Sequence, residues 1–358
     1  MQIGRRTIAD HREPYVIAEI GVNHDGELAK ALLLCDIAAE AGCEAVKLQC
    51  FEAERLMSRA SRLAKYQETA GETDPLAMLR RLELSLDRMA RVIDHAHAAG
   101  LHAIVTVFSL ELVAPAAQLP WDAFKTASPD VVHKPLLDAL AATGRPLIVS
   151  TGAADRDEVR RALNWLAPAH DRLALLQCVS CYPCKPEDAA LEAMSDLRTL
   201  FPGPVGYSDH TPGPETASKA VLLGASVLEK HITLDRTLAG PDHAASLEPP
   251  SLRRYVKEAA NAFRVRHENP DYRAKLDAHA AAQGRKVVLP CEADVRSVSR
   301  QSIVLARPLA AGEAITRDAL TFKRPGTGLL PFEIERVLGR RAARALDADV
   351  PLTESDLA

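Results

Sequence analysis

The residues most able to do chemistry stand at the ends of short apolar runs in the first two thirds of the chain. Lys47 and Gln49 are two positions apart, and so are Glu229 and His231. Because alternate side chains of a β-strand point to the same side, each pair would share one face of its strand. Charged groups that face the interior of a fold are costly unless they meet a ligand, a metal or each other. These pairs therefore predict a binding or catalytic site.

Two histidines point to a metal at that site. His210 ends one apolar run and His231 lies in the next, with Asp209 and Glu229 beside them in the sequence. If the two runs form neighbouring strands, the imidazoles meet at their ends. Imidazole and oxygen ligands without thiolate bind divalent metals such as Mn, Zn, Fe and Co. The pattern predicts a metal site but does not choose among these metals.

Two lysines point to an anionic substrate. Lys47 and Lys125 lie in separate apolar runs, and each has a Gln or Ser two or three positions further on. A single lysine in a strand is usually solvated or paired with a carboxylate. Two lysines directed at one site, with hydroxyl or amide groups beside them, suit the phosphate and carboxylate of one substrate.

These residues need a scaffold that brings strand ends together. Runs rich in Val, Ile and Leu alternate with amphipathic stretches at 28–41, 86–99, 155–166 and 214–223, which is typical of repeated βα units. A doubly wound open sheet is disfavoured because no G-x-G-x-x-G turn follows the first run. The pattern predicts a (β/α)8 TIM barrel, with catalytic groups at the carboxyl ends of its strands. The candidate strands are 15–21, 45–50, 102–108, 123–128, 146–152, 173–180, 204–210 and 227–233.

The texture of the chain changes after the predicted barrel. We expect a TIM-barrel catalytic domain at 1–266, a polar, Ala-rich and partly helical linker at 267–289, and a small α+β domain at 290–358. In the last segment short apolar runs alternate with turn signals that contain Gly and Pro. A module of this size is small for a catalytic core, so we expect it to assist the barrel.

Composition and charge exclude several classes of partner. The chain has 358 residues, 47% of them hydrophobic, and a formal net charge of -4, so it can bury a full core and shows no basic footprint for nucleic acid. Charges stand where a signal peptide needs apolar residues, and no apolar run approaches the length that spans a bilayer. We therefore expect a cytoplasmic protein with neither a nucleic-acid nor a membrane partner.

Several segments carry a family resemblance. AEIGVNHDG, AVKLQCFEAE, CVSCYP, GYSDHTPG and EKHITLDRTLAGPDHAASLEP resemble the sialic acid synthase family, which includes N-acetylneuraminate and legionaminate synthases. They cover the predicted barrel almost end to end. The later segments LAAGEAITRDALT and KRPGTG resemble the C-terminal antifreeze-like (SAF) domain of that family. The resemblance implies a (β/α)8 barrel followed by an α+β SAF domain.

The resemblance also implies a reaction. C3 of phosphoenolpyruvate would attack the aldehyde of an open-chain, N-acylmannosamine-type sugar. Water would attack C2, and phosphate would leave with cleavage of its C–O bond. The product would be a nine-carbon sialic acid, either N-acetylneuraminate or a related nonulosonate.

Roles for individual residues follow from their positions in the resembling segments. His210 and His231 would bind a divalent metal, with Mn²⁺ expected and Mg²⁺, Co²⁺ or Zn²⁺ as alternatives. The resemblance implies a proton-transfer role for Glu19 and makes Lys47 and His231 the other catalytic residues. The phosphoenolpyruvate-binding residues would be Lys47, Thr106, Lys125, Ser128, Ser150, Ser180 and Ser208. The sugar-binding residues would be Gln49, Tyr182, Asp242 and Arg324.

The resemblance further implies a partner subunit. Arg324 would reach from the SAF domain of one subunit into the barrel of the other and contact the N-acyl end of the sugar. This arrangement requires a homodimer with exchanged SAF domains. Without the resemblance, Arg324 would be interpreted as a residue of a surface turn.

The chain departs from the family pattern at three sites. Pro129-Asp130 replaces the usual Gly-Glu after the phosphate-binding serine, Asp25 replaces the Asn of HNG, and Ser180 replaces the Asn of CxNxYP. A shorter carboxylate on a stiffer loop would have to act at Asp130. The sugar therefore stays open among N-acetylmannosamine, its 6-phosphate and a legionaminate-type precursor.

Two other functions stay open at this point. In a Schiff-base aldolase, Lys47 or Lys125 would be the nucleophile, activated by a lowered pKa. A barrel that has lost catalysis could instead bind sugars together with its C-terminal domain. The presence of both histidines, both lysines and Glu19 argues against the second alternative.

Overall fold

The computed structural model describes residues 1–358, and its central element is a closed barrel of eight parallel strands. The strands of the chain are β1 (Gln2–Ile3), β2 (Arg6–Thr7), β3 (Tyr15–Glu19), β4 (Ala45–Cys50), β5 (His102–Val107), β6 (Ala123–Thr126), β7 (Leu147–Ser150), β8 (Leu173–Cys178), β9 (Val205–Asp209), β10 (Val227–His231), β11 (Ser302–Leu305) and β12 (Leu320–Lys323). Strands β3 to β10 form the barrel in sequence order, and β10 closes it against β3.

Helices alternate with the barrel strands, as the sequence predicts for a TIM barrel. They are α1 (Leu28–Glu40), α2 (Ala53–Leu56), α3 (Lys65–Thr69), α4 (Pro75–Leu82), α5 (Leu86–Ala98), α6 (Leu110–Ala117), α7 (Lys134–Ala142), α8 (Arg156–Trp165), α9 (Ala193–Leu200), α10 (Thr216–Leu222), α11 (Pro249–Glu268), α12 (Pro270–Gln283), α13 (Ala293–Ser299) and α14 (Ile334–Val337). No helix is long and apolar enough to cross a membrane.

All eight predicted barrel strands are confirmed, although most end earlier than the apolar runs suggested. The run 45–50 matches β4, whereas the run 173–180 contains β8 and two further residues. The polar residues at the ends of the runs belong to the loops that follow the strands. Because these loops leave the carboxyl ends of parallel strands, they gather at one mouth of the barrel.

The two ends of the barrel interior differ in chemistry. At the amino-terminal end, eleven buried apolar residues form one cluster that includes Ile17, Ile104, Ile148 and Leu176. Outside the barrel, sixty buried residues pack the strands against the surrounding helices. The interior is therefore filled with apolar side chains at its base, and the polar residues are confined to the mouth.

Strand alternation corrects one expectation from the sequence. Asp209 was expected beside the histidines of the site, but it points outward from the barrel, whereas its neighbour Ser208 lines the cavity at the mouth. The carboxylate of Asp209 lies 3.2 Å from Nζ of Lys230, and both side chains are fully buried. Asp209 therefore belongs to an ion pair behind the barrel wall.

The segment between the barrel and the last domain is more regular than a linker. Residues 270–283 form α12, which packs against α9, and the Ser195 hydroxyl donates a 2.7 Å hydrogen bond to the carbonyl of Ala280. The C-terminal domain follows, with the antiparallel pair β11–β12 and its own core of thirteen buried residues. Its α+β character is as predicted.

The C-terminal domain covers the barrel mouth of its own chain. Glu158 of α8 accepts paired hydrogen bonds of 2.8–2.9 Å from Arg296 and Arg300. Burial alone would raise the pKa of Glu158, but the two guanidinium groups lower it to about 2. On another side of the mouth, the amide of Gln301 donates a 2.7 Å bond to the carbonyl of Phe108. These contacts hold the C-terminal domain over the carboxyl ends of the barrel strands.

The ion pair behind the barrel wall provides a stability test. Removing one partner of a buried pair leaves an uncompensated charge, so Asp209→Ala is expected to lower the free energy of unfolding by about 3–5 kcal/mol. Urea unfolding followed by circular dichroism measures this loss. Glu258→Ala is the matched control, because Glu258 pairs with Arg254 on the surface and exposed pairs contribute little. Equal effects of the two substitutions would contradict the assignment.

Candidate active site

A cavity of about 920 Å³ opens at the carboxyl ends of the barrel strands, beneath the C-terminal domain. It brings together every predicted site residue except Glu19. The predicted residues on its walls are Lys47, Gln49, Thr106, Lys125, Ser128, Ser150, Ser180, Tyr182, Ser208, His210, His231, Asp242 and Arg324. Glu19 is fully buried behind Lys47, so it can reach the cavity only through its neighbours.

Four buried charges form the floor of the cavity. Lys47 contacts the carboxylate of Glu19, and its Nζ lies 4.0 Å from Oε1 of Glu229. Nζ of Lys125 lies 3.6 Å from the same Glu229 oxygen, which also accepts a 3.0 Å hydrogen bond from Ser208. Strand register places these groups, since Glu19 of β3 lies beside Lys47 of β4 and opposite His231 of β10.

Burial and charge act in opposite directions on these groups. Burial raises the pKa of Glu19 to about 7, despite the opposing effect of Lys47. Burial would lower the pKa of Lys47, but Glu19 and Glu229 raise it above its ordinary value. For Lys125 burial prevails over Glu229, and its pKa is lowered. The floor can therefore hold an exchangeable proton on Glu19 near neutral pH, next to a lysine that stays charged.

Hydroxyl groups converge beside Lys125 in a polar cluster, which we call the anion cradle because its donors suit an anion. Lys125 donates a 2.6 Å hydrogen bond to Ser150, and the amide of Gly152 donates a 2.9 Å bond to Ser128. A Cβ at Gly152 would lie 2.3 Å from the Ser180 hydroxyl and 2.8 Å from that of Ser128. Only glycine fits there, because the ends of three strands approach one point. An ammonium ringed by serine hydroxyls is suited to phosphate and carboxylate oxygens.

The two histidines have the chemistry of metal ligands. Nδ1 of His210 donates a 2.8 Å hydrogen bond to the carbonyl of Val179, which leaves its Nε2 free as a ligand. Burial lowers the pKa of His231 well below its ordinary value, so this imidazole is neutral, and its buried Nδ1 has no hydrogen-bond partner. The two ring centres are 5.6 Å apart, and Oδ2 of Asp242 lies 3.7 Å from the free nitrogen.

These residues fit a divalent metal in an open site. No three His, Cys, Asp or Glu side chains are arranged to enclose an ion by themselves, so oxygen atoms of water or substrate would complete the coordination. Catalytic metal sites keep such open positions, whereas structural sites are closed by protein ligands.

The outer half of the cavity contains residues that the sequence analysis did not assign. Tyr66 stacks on Tyr182 with ring centres 4.9 Å apart, and Gln67 lines the wall beside it. Tyr66 and Gln67 lie in the segment 51–85 between β4 and α5, which we call the excursion. Its apolar members form one buried cluster with residues that follow β3, β4 and β5. The members of this cluster that line the cavity are Val22, Phe51, Leu56, Met78, Leu79, Leu82 and Phe108. Neither Tyr66 nor Gln67 is charged or stands at the end of a barrel strand, so the sequence analysis did not single them out.

Arg324 enters the cavity from the C-terminal domain of the same chain. Its backbone amide donates a 2.8 Å hydrogen bond to the carbonyl of Leu56, and its guanidinium lies 5.5 Å from the ring centre of Phe108. Nε of Arg324 is buried without a partner. A partner subunit is therefore not needed to bring this residue to the barrel, and the exchanged homodimer stays a prediction.

The departure at Pro129-Asp130 changes which groups face the cavity. Pro129 lines the cavity, whereas Asp130 turns away from it toward the C-terminal domain. Oδ1 of Asp130 lies 3.4 Å from the amide nitrogen of Gln301, and its other oxygen is buried without a partner. Burial raises the pKa of Asp130 to about 7, although Arg324 opposes this shift. The carboxylate therefore lies against Gln301 of the C-terminal domain rather than on the cavity wall.

Comparison with known proteins assigns the chain to a family. The model of the NeuB family matches residues 34–269, and that of the SAF domain matches residues 300–358. The chain belongs to the NeuB family. Its members include synthases of known product, and this chain is an enzyme of the sialic acid synthase type.

Relatives resemble the chain over nearly its whole length. An N,N'-diacetyllegionaminic acid synthase of Legionella pneumophila is 35% identical, with 94% of this chain and 93% of the relative covered. Human N-acetylneuraminate-9-phosphate synthase is 31% identical, with 98% and 94% covered. The crystal structure of the spore coat polysaccharide biosynthesis protein SpsE of Bacillus subtilis superimposes with a TM-score of 0.84 at 29% identity, covering 100% of this chain and 99% of that one.

The carboxyl of Asp130 provides a pH test. Its pKa in the folded protein is about 7 against an ordinary value of 3.8, so the stability it contributes is complete below about pH 4 and is lost as the pH rises through 7. Asp130→Asn removes this titration. The difference in unfolding free energy between the variant and the wild type should therefore shift in favour of the variant from pH 4 to pH 7. Urea unfolding at several pH values measures it, and a constant difference would argue against a raised pKa.

Proposed function

We propose that this enzyme condenses phosphoenolpyruvate with an N-acylmannosamine-type sugar to give a nine-carbon nonulosonic acid and phosphate. The observation that carries the proposal is the pair of buried lysines, Lys47 and Lys125, in a floor with serine hydroxyls and a neutral histidine. Relatives named as legionaminic, pseudaminic and N-acetylneuraminate-9-phosphate synthases support a condensation of this class.

The floor of the cavity has the donors that phosphoenolpyruvate requires. Lys125 with Ser128, Ser150 and Ser180 would bind one anionic group, and Lys47 with Thr106 would bind the other. Nζ of Lys47 already donates a 3.0 Å hydrogen bond to the Thr106 hydroxyl. Ser208 is hydrogen-bonded to Glu229 and would complete the cradle. With both anionic groups held, C3 of phosphoenolpyruvate would be directed toward the outer half of the cavity.

Proton transfer is the role proposed for Glu19. When the new C–C bond forms, the aldehyde oxygen of the sugar becomes a hydroxyl and needs a proton. Glu19 can hold one near neutral pH because of its burial, and it contacts Lys47, which lines the cavity. The ammonium of Lys47 would deliver its proton to the oxygen and regain one from Glu19. Water adds to C2, and phosphate leaves with the bridging oxygen.

His210 and His231 would hold the divalent metal, with Mn²⁺ as the first candidate and Mg²⁺, Co²⁺ or Zn²⁺ as alternatives. When bound, the metal would supply polarisation of the aldehyde oxygen. Asp242 lies near both the free nitrogen of His231 and the sugar side of the cavity. Its pKa is raised by burial to about 6, so it is mostly ionised at neutral pH and can accept hydrogen bonds from sugar hydroxyls.

The outer half of the cavity favours an unphosphorylated sugar with N-acyl groups. Gln49 and Tyr182 offer hydrogen bonds, and the methyl groups of N-acyl substituents would pack on Met78 and Phe108. Arg324 is the one cation on this side of the cavity, and its free Nε suits an amide carbonyl. The phosphate of a sugar phosphate would find only this one guanidinium, and its other neighbours would be the apolar side chains of the wall.

A substrate panel tests the proposed function. The enzyme would be offered phosphoenolpyruvate and Mn²⁺ with N-acetylmannosamine, its 6-phosphate or a diacetamido analogue, and phosphate release and product mass would be measured. We expect turnover with the unphosphorylated sugars and at least tenfold lower kcat/KM with the 6-phosphate. Chelation should abolish activity, Mn²⁺ should restore it, and His231→Ala should remove it while the protein stays folded.

The panel also separates the alternatives. Trapping of a pyruvate adduct by borohydride would instead support a Schiff-base aldolase. The raised pKa of Lys47 argues against its use as the nucleophile, because a protonated amine is not nucleophilic. In such an aldolase the nucleophile would be Lys125, whose pKa is lowered by burial. Sugar binding without phosphate release from any member of the panel would support a non-catalytic role.

Arg324 allows a test of the sugar site. Arg324→Ala should raise the KM for the sugar by about tenfold to a hundredfold, because one charge-assisted hydrogen bond contributes about 1.5–3 kcal/mol, and should leave the KM for phosphoenolpyruvate within about twofold. Steady-state kinetics with each substrate varied in turn measure both constants. Equal effects on both would contradict the proposed contact.

The same variant tests the exchanged homodimer. Arg324→Ala and His231→Ala chains would be unfolded together, refolded as a mixture and assayed. In an exchanged dimer, the intact barrel of one chain would receive the intact arginine of the other, so part of the activity would return. If each C-terminal domain covers its own barrel, activity at a sugar concentration well below the raised KM of Arg324→Ala would stay at the sum of the activities of the two separate variants.

A further inference from the structure

Glu292 connects the segment after α12 to the loops of the anion cradle. It ends the short 3₁₀ turn Pro290–Glu292 and is 1% exposed. Its Oε1 accepts hydrogen bonds from the backbone amides of Ala153 at 2.6 Å and Ser180 at 2.8 Å. Its Oε2 accepts a 2.9 Å bond from the amide of Leu289. One carboxylate thus joins two barrel loops to the base of the C-terminal domain.

The two barrel amides belong to loops that carry the cradle. Ala153 follows β7 and Ser150, and Ser180 itself follows β8. Gly152 immediately precedes Ala153, and a Cβ at Gly152 would lie within contact distance of the hydroxyls of both Ser128 and Ser180. Ala153 has a φ of 51°, a left-handed conformation that disfavours residues with a side chain. An external acceptor on its amide helps to hold the loop in this conformation.

A buried lysine lies in the same segment as this carboxylate. Lys286 is 2% exposed, and its backbone amide donates a 2.9 Å bond to Asp196 of α9. Burial lowers the pKa of Lys286, and Glu292 is the foremost of the carboxylates that oppose this shift. Both ends of the segment 286–292 are therefore tied to the barrel. Neither Glu292 nor Lys286 lines the cavity.

We propose that Glu292 is a positioning residue for the phosphate-binding half of the cavity. By accepting the amides of Ala153 and Ser180 with one oxygen, it holds the loops after β7 and β8 so that their serine hydroxyls converge. The contact of Glu292 with these two loops would then be required for binding of phosphoenolpyruvate, but not for binding of the sugar. This inference rests on the proposed function for the identity of the anion.

The test compares two turns with the same local design. Glu333 ends the 3₁₀ turn Pro331–Glu333 and accepts a 2.8 Å bond from the amide of Leu330, just as Glu292 accepts from Leu289. Its other oxygen pairs with Arg336 on the surface and does not contact the barrel loops. Glu333→Ala therefore removes the same kind of turn contact without affecting the cradle.

Binding of phosphoenolpyruvate to the full-length protein would be measured by calorimetry. The KM for the sugar would be measured by steady-state kinetics at saturating phosphoenolpyruvate. Glu292→Ala should weaken phosphoenolpyruvate binding by about tenfold to a hundredfold, because it leaves two buried amides unpaired. The KM for the sugar should stay within about twofold. Glu292→Gln, which keeps an acceptor oxygen, should show a smaller loss, and Glu333→Ala none.

Several outcomes would overturn the inference. Unchanged phosphoenolpyruvate affinity in Glu292→Gln and Glu292→Ala would do so, as would an equal loss for both substrates, which would indicate a merely structural role. If Glu292→Ala does not fold, the Gln variant alone decides between these results. If the wild type does not bind phosphoenolpyruvate, the proposed function fails, and inorganic phosphate becomes the probe for Glu292. Failure to bind either anion would overturn both proposals.

Discussion

The arrangement of the whole site depends on the mutual neutralisation of four charges buried in the barrel mouth. Lys47, Lys125, Glu19 and Glu229 come from four different strands, and each has an opposite charge within reach. A buried charge without a partner would cost several kcal/mol. The register of the barrel strands brings the four charges together, and a shifted register would leave them buried without partners. The apolar base below and the C-terminal domain above bury these groups, which strengthens every interaction among them.

Much of this architecture could be predicted because strands and helices have different periods. The strand runs identified the barrel, and the two-residue spacing of Lys47 and Gln49 correctly placed both on the cavity wall. The same alternation would have excluded Asp209 from the site. Ser208 and His210 face the cavity, so the residue between them must point to the other side of the strand. The family resemblance supplied the chemistry of the reaction, which periodicity alone could not.

What could not be predicted depends on contacts between segments far apart in the chain. Nothing in the sequence near Glu292 indicates that its carboxylate meets the amides of Ala153 and Ser180, because backbone amides leave no trace in residue type. The seclusion of Glu19 behind Lys47 likewise follows from the curvature of the closed barrel. The C-terminal domain consequently contacts both halves of the site, since Arg324 enters one half and Glu292 accepts hydrogen bonds from the loops of the other.

The excursion between β4 and α5 contributes no barrel strand, yet it forms the outer wall of the cavity and contacts the C-terminal domain through Leu56. The anion cradle is built from other loops. Mutations in the excursion can therefore alter the shape of the outer wall while the barrel and the cradle keep their structure. Evolution can diversify the sugars that such enzymes accept by rewriting this one segment, while the chemistry shared by the family is inherited unchanged.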